Sequence, residues 1–240
     1  MLAQTFGDIE VIVVDDASPE LVIIPPDPRV RLVRAATNGG PARARNLGVE
    51  ASNGDFLAFL DDDDTWTPSR LSYAKQGLDR SPIAICWQSP SGGRVLEGRV
   101  HDSILNATTP TLGATALRRS AWVPLDETYR CVEDLAWWLD VTKETSVTTV
   151  PKHGLVVRRH DGVRSGYGLE QRIIQSERLL TERTGYFAQH PRAAAFRWKR
   201  IGLMNLALGR KGEARKAFLR ALGCQPSGAD LVHLARTLLA

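Results

Sequence analysis

The sequence predicts an α/β fold, with a mainly parallel sheet flanked by helices and a helical C-terminal region. Residues 10–16 contain four consecutive β-branched apolar residues, which is typical of a strand buried on both faces of a parallel sheet. Strand and helix patterns then alternate over the first 80 residues, as right-handed crossovers require. After Gly168 the pattern is purely helical. We therefore predict one domain over 1–168 and a helical region over 169–240.

Local signals define the elements of this fold. Asn38-Gly39-Gly40 breaks the chain, and Pro41 suits the first turn of a helix. Thr67 is the expected N-cap of the following helix. The other predicted elements are strands at 30–33, 55–60, 83–87, 147–150 and 155–157, and helices at 41–52, 68–78, 133–144, 169–189, 192–208, 211–222 and 228–239.

The composition is that of a globular protein with a substantial core. Of 240 residues, 43% are hydrophobic and 24% are charged. The sequence contains neither an apolar run long enough to span a membrane nor a recognisable secretory signal, so we expect a cytoplasmic protein. The three widely separated cysteines match no metal-ligand spacing and are expected to be reduced.

Charge is distributed unevenly along the chain. Residues 1–150 carry a net charge of −7, whereas residues 151–240 carry +11. The acidic part suits a cation site, and the basic part suits an anionic partner such as a membrane surface, a nucleic acid or an acidic protein. A nucleic acid is not the expected partner, while peripheral contact with the inner face of a membrane stays open. The alternative is a solvated basic helical surface.

Two predicted strands end in carboxylates, Asp15-Asp16 and Asp61–Asp64. Ligands of parallel α/β sheets bind at the carboxyl ends of the strands, where these acids would repel one another. Mg²⁺ or Mn²⁺, which prefer oxygen ligands, would relieve that repulsion. The alternative for the four-aspartate run is a solvated loop that caps a helix.

Three motifs resemble those of family 2 glycosyltransferases, which have the GT-A fold. They are Glu10-Val-Ile-Val-Val-Asp15-Asp16-Ala-Ser18, Asn38-Gly39-Gly40-Pro-Ala-Arg-Ala44-Arg45-Asn46-Leu-Gly48, and Phe59-Leu60-Asp61-Asp62-Asp63-Asp64. They stand in the family's order and spacing. The resemblance covers roughly residues 3–165, and it implies a glycosyltransferase that uses a nucleotide-sugar donor and a divalent cation.

The resemblance also implies roles for single residues in the donor site. Asp16, or its neighbour Asp15, would hydrogen-bond the base of the nucleotide. Asp61 would lie near the ribose and the sugar, and Asp63 would hold the metal, with Asp61 as a further ligand. Arg43 and Arg45 would steer the pyrophosphate, although a surface salt bridge is the alternative for each. The remaining expected donor-site residues are Ser18, Asn38 and Asp62.

A Glu133-Asp134 pair matches the acidic pair that opens a helix late in the family's domain. The resemblance makes Asp134 the candidate general base, with Glu133 beside it, in a single displacement with inversion. The alternative is that two acids only stabilise a helix N-terminus. His160 matches an Arg-x-His pattern and would complete the metal or diphosphate site, although a structural histidine is the alternative.

The sequence departs from the family at its start, because the usual first strand is missing. Three explanations are open: a start that lies upstream, a strand supplied by another chain, and a degenerate relative. The upstream start is favoured. An inactive GT-A-like protein that binds a partner through its basic helical tail is therefore the alternative function, and a nucleotidyltransferase is a weaker third option.

The C-terminal region lies outside this resemblance. Residues 192–226 resemble one tetratricopeptide-like hairpin, with a plain amphipathic helical appendage as the alternative. The sequence leaves the donor open among UDP-, GDP- and dTDP-sugars. It equally leaves the hydroxyl acceptor open among a saccharide, a glycolipid and a small molecule.

Overall fold

The computed structural model describes residues 1–158 and 168–237. Contacts between Cα atoms divide the chain into two compact units. Within the described residues, unit 1 consists of 1–101 and 110–158. Unit 2 consists of 102–109 and 168–237. Among the described residues, no helix combines the length and the apolar character that crossing a membrane requires.

Unit 1 contains eight strands and three α-helices. In chain order they are β1 (Val11–Asp15), β2 (Val30–Arg34), α1 (Gly40–Ala51), β3 (Phe56–Ala58), β4 (Thr65–Trp66), α2 (Arg70–Leu78), β5 (Ile83–Ser89), β6 (Glu97–Gly98), β7 (Thr115–Arg118), α3 (Glu133–Val141) and β8 (Val147–Val156). The predicted α/β class is therefore present in the described part of the chain.

The strands form two sheets. β1 and β2 pair in parallel, from Val11 opposite Val30 to Asp15 opposite Arg34. The larger sheet has the order β3-β7-β5-β8-β4, and β6 also pairs with β8. The β5–β8 pair is parallel, but the other pairs of this sheet are antiparallel. The expectation of a mainly parallel sheet is corrected to a mixed one. No α-helix separates β5 from β7, and without a crossover helix the chain returns antiparallel.

Two local predictions within unit 1 are wrong. The segments predicted as separate strands at 147–150 and 155–157 form the single strand β8. Thr67 does not cap α2, because the helix begins at Arg70 with Ser69 as its N-cap residue. The Thr67 hydroxyl instead donates to the carbonyl oxygen of His153 at 3.1 Å, which ties the start of α2 to β8.

Helix α3 carries the largest buried side chains of unit 1. Trp137 and Trp138 are almost completely buried. Their indole N–H groups donate to the carbonyl oxygens of Val123 and Pro110, each at 2.9 Å. Because both polar atoms have partners, the two rings contribute apolar burial without an unsatisfied donor.

Unit 2 is helical, and its helices are α4 (Leu169–Glu182), α5 (Thr184–Gln189), α6 (Pro191–Ala207), α7 (Lys211–Cys224) and α8 (Gly228–Arg236). The helix predicted over 169–189 is interrupted at Arg183, whose backbone leaves the helical range. Helices α6 and α7 pack closely, since a Cβ at Gly202 would meet the ring of Phe218 at 2.6 Å. The tetratricopeptide-like character of this pair stays a prediction.

Candidate functional site: an acidic loop tied to two helices

Asp61, Asp63 and Asp64 converge in the loop between β3 and β4. One carboxylate oxygen from each lies within 4.8 Å of the others, and all three side chains are half-buried. Asp64 also accepts the backbone N–H of Arg158 at 3.1 Å, which ties the loop to the end of β8. The predicted pair Asp61 and Asp63 is thus brought together. Asp64 belonged to the predicted acidic run but was not named as a ligand by the sequence prediction.

The residues present fit a divalent cation. Three carboxylates supply the hard oxygen ligands that Mg²⁺ and Mn²⁺ prefer, and partial exposure leaves room for water or phosphate oxygens. Asp62, which was predicted to bind the donor, is exposed and does not belong to this group. The structure thus separates Asp62 from the other three aspartates of the run.

Arg45 joins the acidic loop to two helices. From α1, its guanidinium donates to Asp61 at 2.7 Å and to Glu133 of α3 at 3.0 Å. The Arg45 side chain is only 16% exposed. Burial lowers the pKa of Arg45, but the two carboxylates more than compensate, so this pKa is raised. Arg45 was predicted to steer a pyrophosphate, and in this structure its charge is shared between Asp61 and Glu133.

The predicted catalytic acids lie at the start of α3. Glu133 is buried and bound to Arg45, whereas Asp134 is half-buried. The Asp134 carboxylate accepts the backbone N–H of Leu135 at 2.9 Å. Asp134 therefore adjoins the Arg45 bridge without being one of its two carboxylate partners.

The carboxylates at the end of β1 are engaged inside unit 1. Asp15 is buried, accepts the backbone N–H of Ser18 at 2.8 Å and pairs with Arg34 at 2.7 Å. The hydrogen bonds from Ser18, together with the Arg34 charge, hold the pKa of Asp15 below its usual value. Ala17, which precedes Ser18, adopts φ 59°, a left-handed backbone conformation that residues other than glycine rarely adopt.

Asp16 occupies the N-terminus of α1. Its carboxylate accepts the backbone N–H groups of Gly39 and Gly40 at 2.8 and 2.7 Å. Gly40 has φ 82°, so a glycine suits this position of the turn. Asn38 donates to the Asp16 carbonyl oxygen at 3.1 Å. A pyrophosphate at this helix end would compete with Asp16 for the same backbone donors.

Arg43 and His160 were also predicted to belong to the donor or metal site. Arg43 donates to the Thr37 hydroxyl at 3.2 Å and takes no part in the Arg45 bridge. His160 lies outside the described residues. No donor-binding or metal-binding role is tested by these contacts, and those of Asp15, Asp16, Ser18, Asn38, Arg43, Asp62 and His160 stay predictions.

Comparison with known proteins identifies the family. The model of Glycosyl transferase family 2 matches residues 1–121, just over half of the chain. The chain belongs to glycosyl transferase family 2. The matched segment contains all three motifs and the acidic loop, while Glu133 and Asp134 lie beyond it.

The similar curated proteins include two from Rhizobium meliloti (strain 1021). The succinoglycan biosynthesis protein ExoW is 42% identical over 101 residues, which are 39% of this chain and 32% of that protein. The succinoglycan biosynthesis protein ExoO is 51% identical over 74 residues, which are 29% of this chain and 21% of that protein. The chain thus matches a third or less of the length of these relatives.

Solved structures of S. aureus TarS share the fold. The structure of TarS 1–349 has a TM-score of 0.54 at 16% identity, and the match covers 93% of this chain and 82% of that one. Its complex with UDP-GlcNAc has a TM-score of 0.55 at 15% identity, with coverage of 93% and 83%. This likeness supports the α/β fold of the GT-A type with a C-terminal helical region.

Proposed function

We propose that this family member transfers a sugar from a nucleotide-diphosphate-sugar to an acceptor hydroxyl, with a divalent cation bound at the acidic loop. The convergence of Asp61, Asp63 and Asp64 within 4.8 Å carries the proposal. Arg45 supports it, because it connects this cluster to the helix that bears Asp134. UDP-GlcNAc is the first donor to test, since the similar TarS fold was solved in complex with it.

The chemistry that follows is a single displacement. The acceptor oxygen forms a bond to the anomeric carbon as the bond to the diphosphate breaks, and the configuration at that carbon inverts. Asp134 is the proposed base that receives the hydroxyl proton. A bound divalent cation supplies positive charge that stabilises the departing nucleoside diphosphate.

Arg45 and Glu133 have positioning roles in this proposal. Arg45 holds Asp61 at 2.7 Å and so fixes one side of the carboxylate cluster. Glu133, bound to the same guanidinium at 3.0 Å, fixes the start of α3 and hence Asp134, the next residue. A non-catalytic interaction module is not favoured, because it would not require three convergent carboxylates beside this bridge.

The test is calorimetric titration of the chain with UDP, GDP and dTDP in the presence of Mn²⁺. We expect binding that requires Mn²⁺ and is weakened about 10-fold or more by Asp63→Asn, because a ligand is lost. Asp55→Asn is the matched comparison, because Asp55 is an exposed carboxylate before β3 with no assigned role, and a much smaller effect is expected. Nucleotide binding by the parent that is insensitive to Mn²⁺ would contradict the role given to the loop.

Catalysis is tested separately from binding. Asp134→Asn should retain nucleotide binding while sugar transfer from UDP-GlcNAc to added acceptors falls about 10²-fold or more, because a general base contributes that much. Asp140→Asn on the same helix is the control. Full transfer by the Asp134 variant would remove this residue from the mechanism.

A further inference from the structure

Arg70 is a buried cation without a hydrogen-bonding partner among the described residues. Its side chain is fully buried at the start of α2, and none of its three guanidinium nitrogens makes a hydrogen bond there. Burial lowers the pKa of Arg70. A charge in such a place reduces the stability of the folded state, so its presence calls for an explanation other than packing.

The surroundings of Arg70 leave little space. A Cβ at Gly154 of β8 would meet the Arg70 Cδ at 2.4 Å and the Cys86 Cβ at 2.9 Å. The guanidinium carbon lies 5.3 Å from the ring centroid of Trp66, a distance at which a cation is attracted by the aromatic face. The Trp66 face thus offers the Arg70 cation a favourable contact where no hydrogen bond is made.

Trp66 in turn connects the acidic loop to the rest of unit 1. It lies two residues after Asp64, and its backbone pairs with Leu155 of β8. Its indole N–H donates to the carbonyl oxygen of Gly113 at 3.1 Å. The ring is thus fixed by a backbone pair, a hydrogen bond and the Arg70 cation, all at the point where the loop ends.

We propose that Arg70 is a positioning residue for the acidic loop, holding the Trp66 ring so that Asp61, Asp63 and Asp64 converge on a divalent cation. The proposal rests on the proposed function only in treating this cluster as a cation site. It assigns no contact between Arg70 and a substrate. This role accounts for a buried arginine at a position where an unbranched apolar side chain would fit without the cost of removing a charge from water.

The test combines the melting temperature with titration of Mn²⁺ alone. Arg70→Met keeps a long side chain between Gly154 and Cys86 but removes the charge over Trp66. We expect a melting temperature equal to or above that of the parent, and a Mn²⁺ dissociation constant weakened about 10-fold, as for other residues that orient metal ligands. Arg70→Lys, which retains a cation over the ring, should restore a large part of the affinity.

Lys75→Met provides a matched control on the same helix. The Lys75 ammonium lies 5.7 Å from the Phe56 ring centroid, but this side chain is 37% exposed, so its charge stays hydrated and the contact is weak. We expect this variant to keep both the melting temperature and the Mn²⁺ affinity of the parent. An equal loss of Mn²⁺ affinity in Lys75→Met and Arg70→Met would overturn the proposal.

The remaining outcomes are also decisive. Parent-like Mn²⁺ binding by Arg70→Met overturns the proposal, and so does a parent chain that binds no Mn²⁺. If Arg70→Met does not fold, the Trp66 variants provide the test. Trp66→Leu should lose Mn²⁺ affinity and Trp66→Phe should retain it, because only phenylalanine keeps a ring under Arg70. Equal Mn²⁺ affinities of these two variants would refute the proposal. A parent that binds Mn²⁺ but no nucleotide contradicts the proposed function alone.

Discussion

Replacing Arg45 by methionine should destabilise unit 1 by about 3 kcal/mol, mainly because Glu133 is left buried without its partner. The Glu133 side chain is 9% exposed, so its charge loses hydration that no other described ion pair replaces. The Asp61 side chain is 44% exposed, so its pair adds only about 0.2–1 kcal/mol. The free energy of unfolding, measured by urea denaturation with a probe in unit 1, would show this loss.

A double-mutant cycle assigns the loss to its source. The coupling energy of Arg45→Met with Glu133→Gln should exceed the coupling energy with Asp61→Asn, because the first pair is the more buried. Arg99→Met is the control: Arg99 and its partner Glu144 are 67% and 90% exposed, and about 0.5 kcal/mol or less should be lost. A loss below about 1 kcal/mol in Arg45→Met would refute the reasoning that Glu133 depends on this partner.

Two further predictions concern packing and pH. Gly202→Ala should destabilise unit 2 by about 1–3 kcal/mol in urea denaturation, because the new methyl group meets the Phe218 ring, whereas Gly223→Ala, with open space around it, should be neutral or stabilising. The side-chain and backbone hydrogen bonds of Arg29 lower the pKa of Asp27 to about 2, so Asp27 stabilises the fold above its unfolded pKa of about 3.9 and this contribution is lost as pH falls towards 2. The free energy of unfolding, measured by urea denaturation, should therefore fall less in Asp27→Asn than in the parent between about pH 4 and 2. An equal dependence of this free energy on pH in both proteins would contradict the prediction.

Much of the fold and of the candidate site follows from local sequence. The apolar run before Asp15 predicts β1, and Pro41 after two glycines predicts α1 within one residue of its observed start. The acidic loop is predicted because strand and carboxylates adjoin in the chain. These features depend on neighbouring residues, whose spacing is visible without knowledge of the tertiary structure.

Other features depend on which strands become neighbours. The sheet is mixed because β7 lies between β3 and β5. These two pairings join segments that are about 60 and about 30 residues apart in the chain, and the periodicity of a segment does not indicate its partner strand. The predicted N-cap at Thr67 was wrong for a similar reason, since its hydroxyl bonds to His153, 86 residues away. Here a tertiary contact prevails over the general preference of threonine for the N-cap position.

The sequence by itself determined the α/β class, the family motifs and the aspartate run, because each is written in consecutive residues. Only the tertiary structure decided that Asp64 joins the cluster and that Arg45 bridges to a carboxylate 88 residues away. It also decided that Asp16 binds the start of α1 and that Arg70 is buried against Trp66. Charged side chains have many partners available in a sequence, and the fold selects among them by distance and burial.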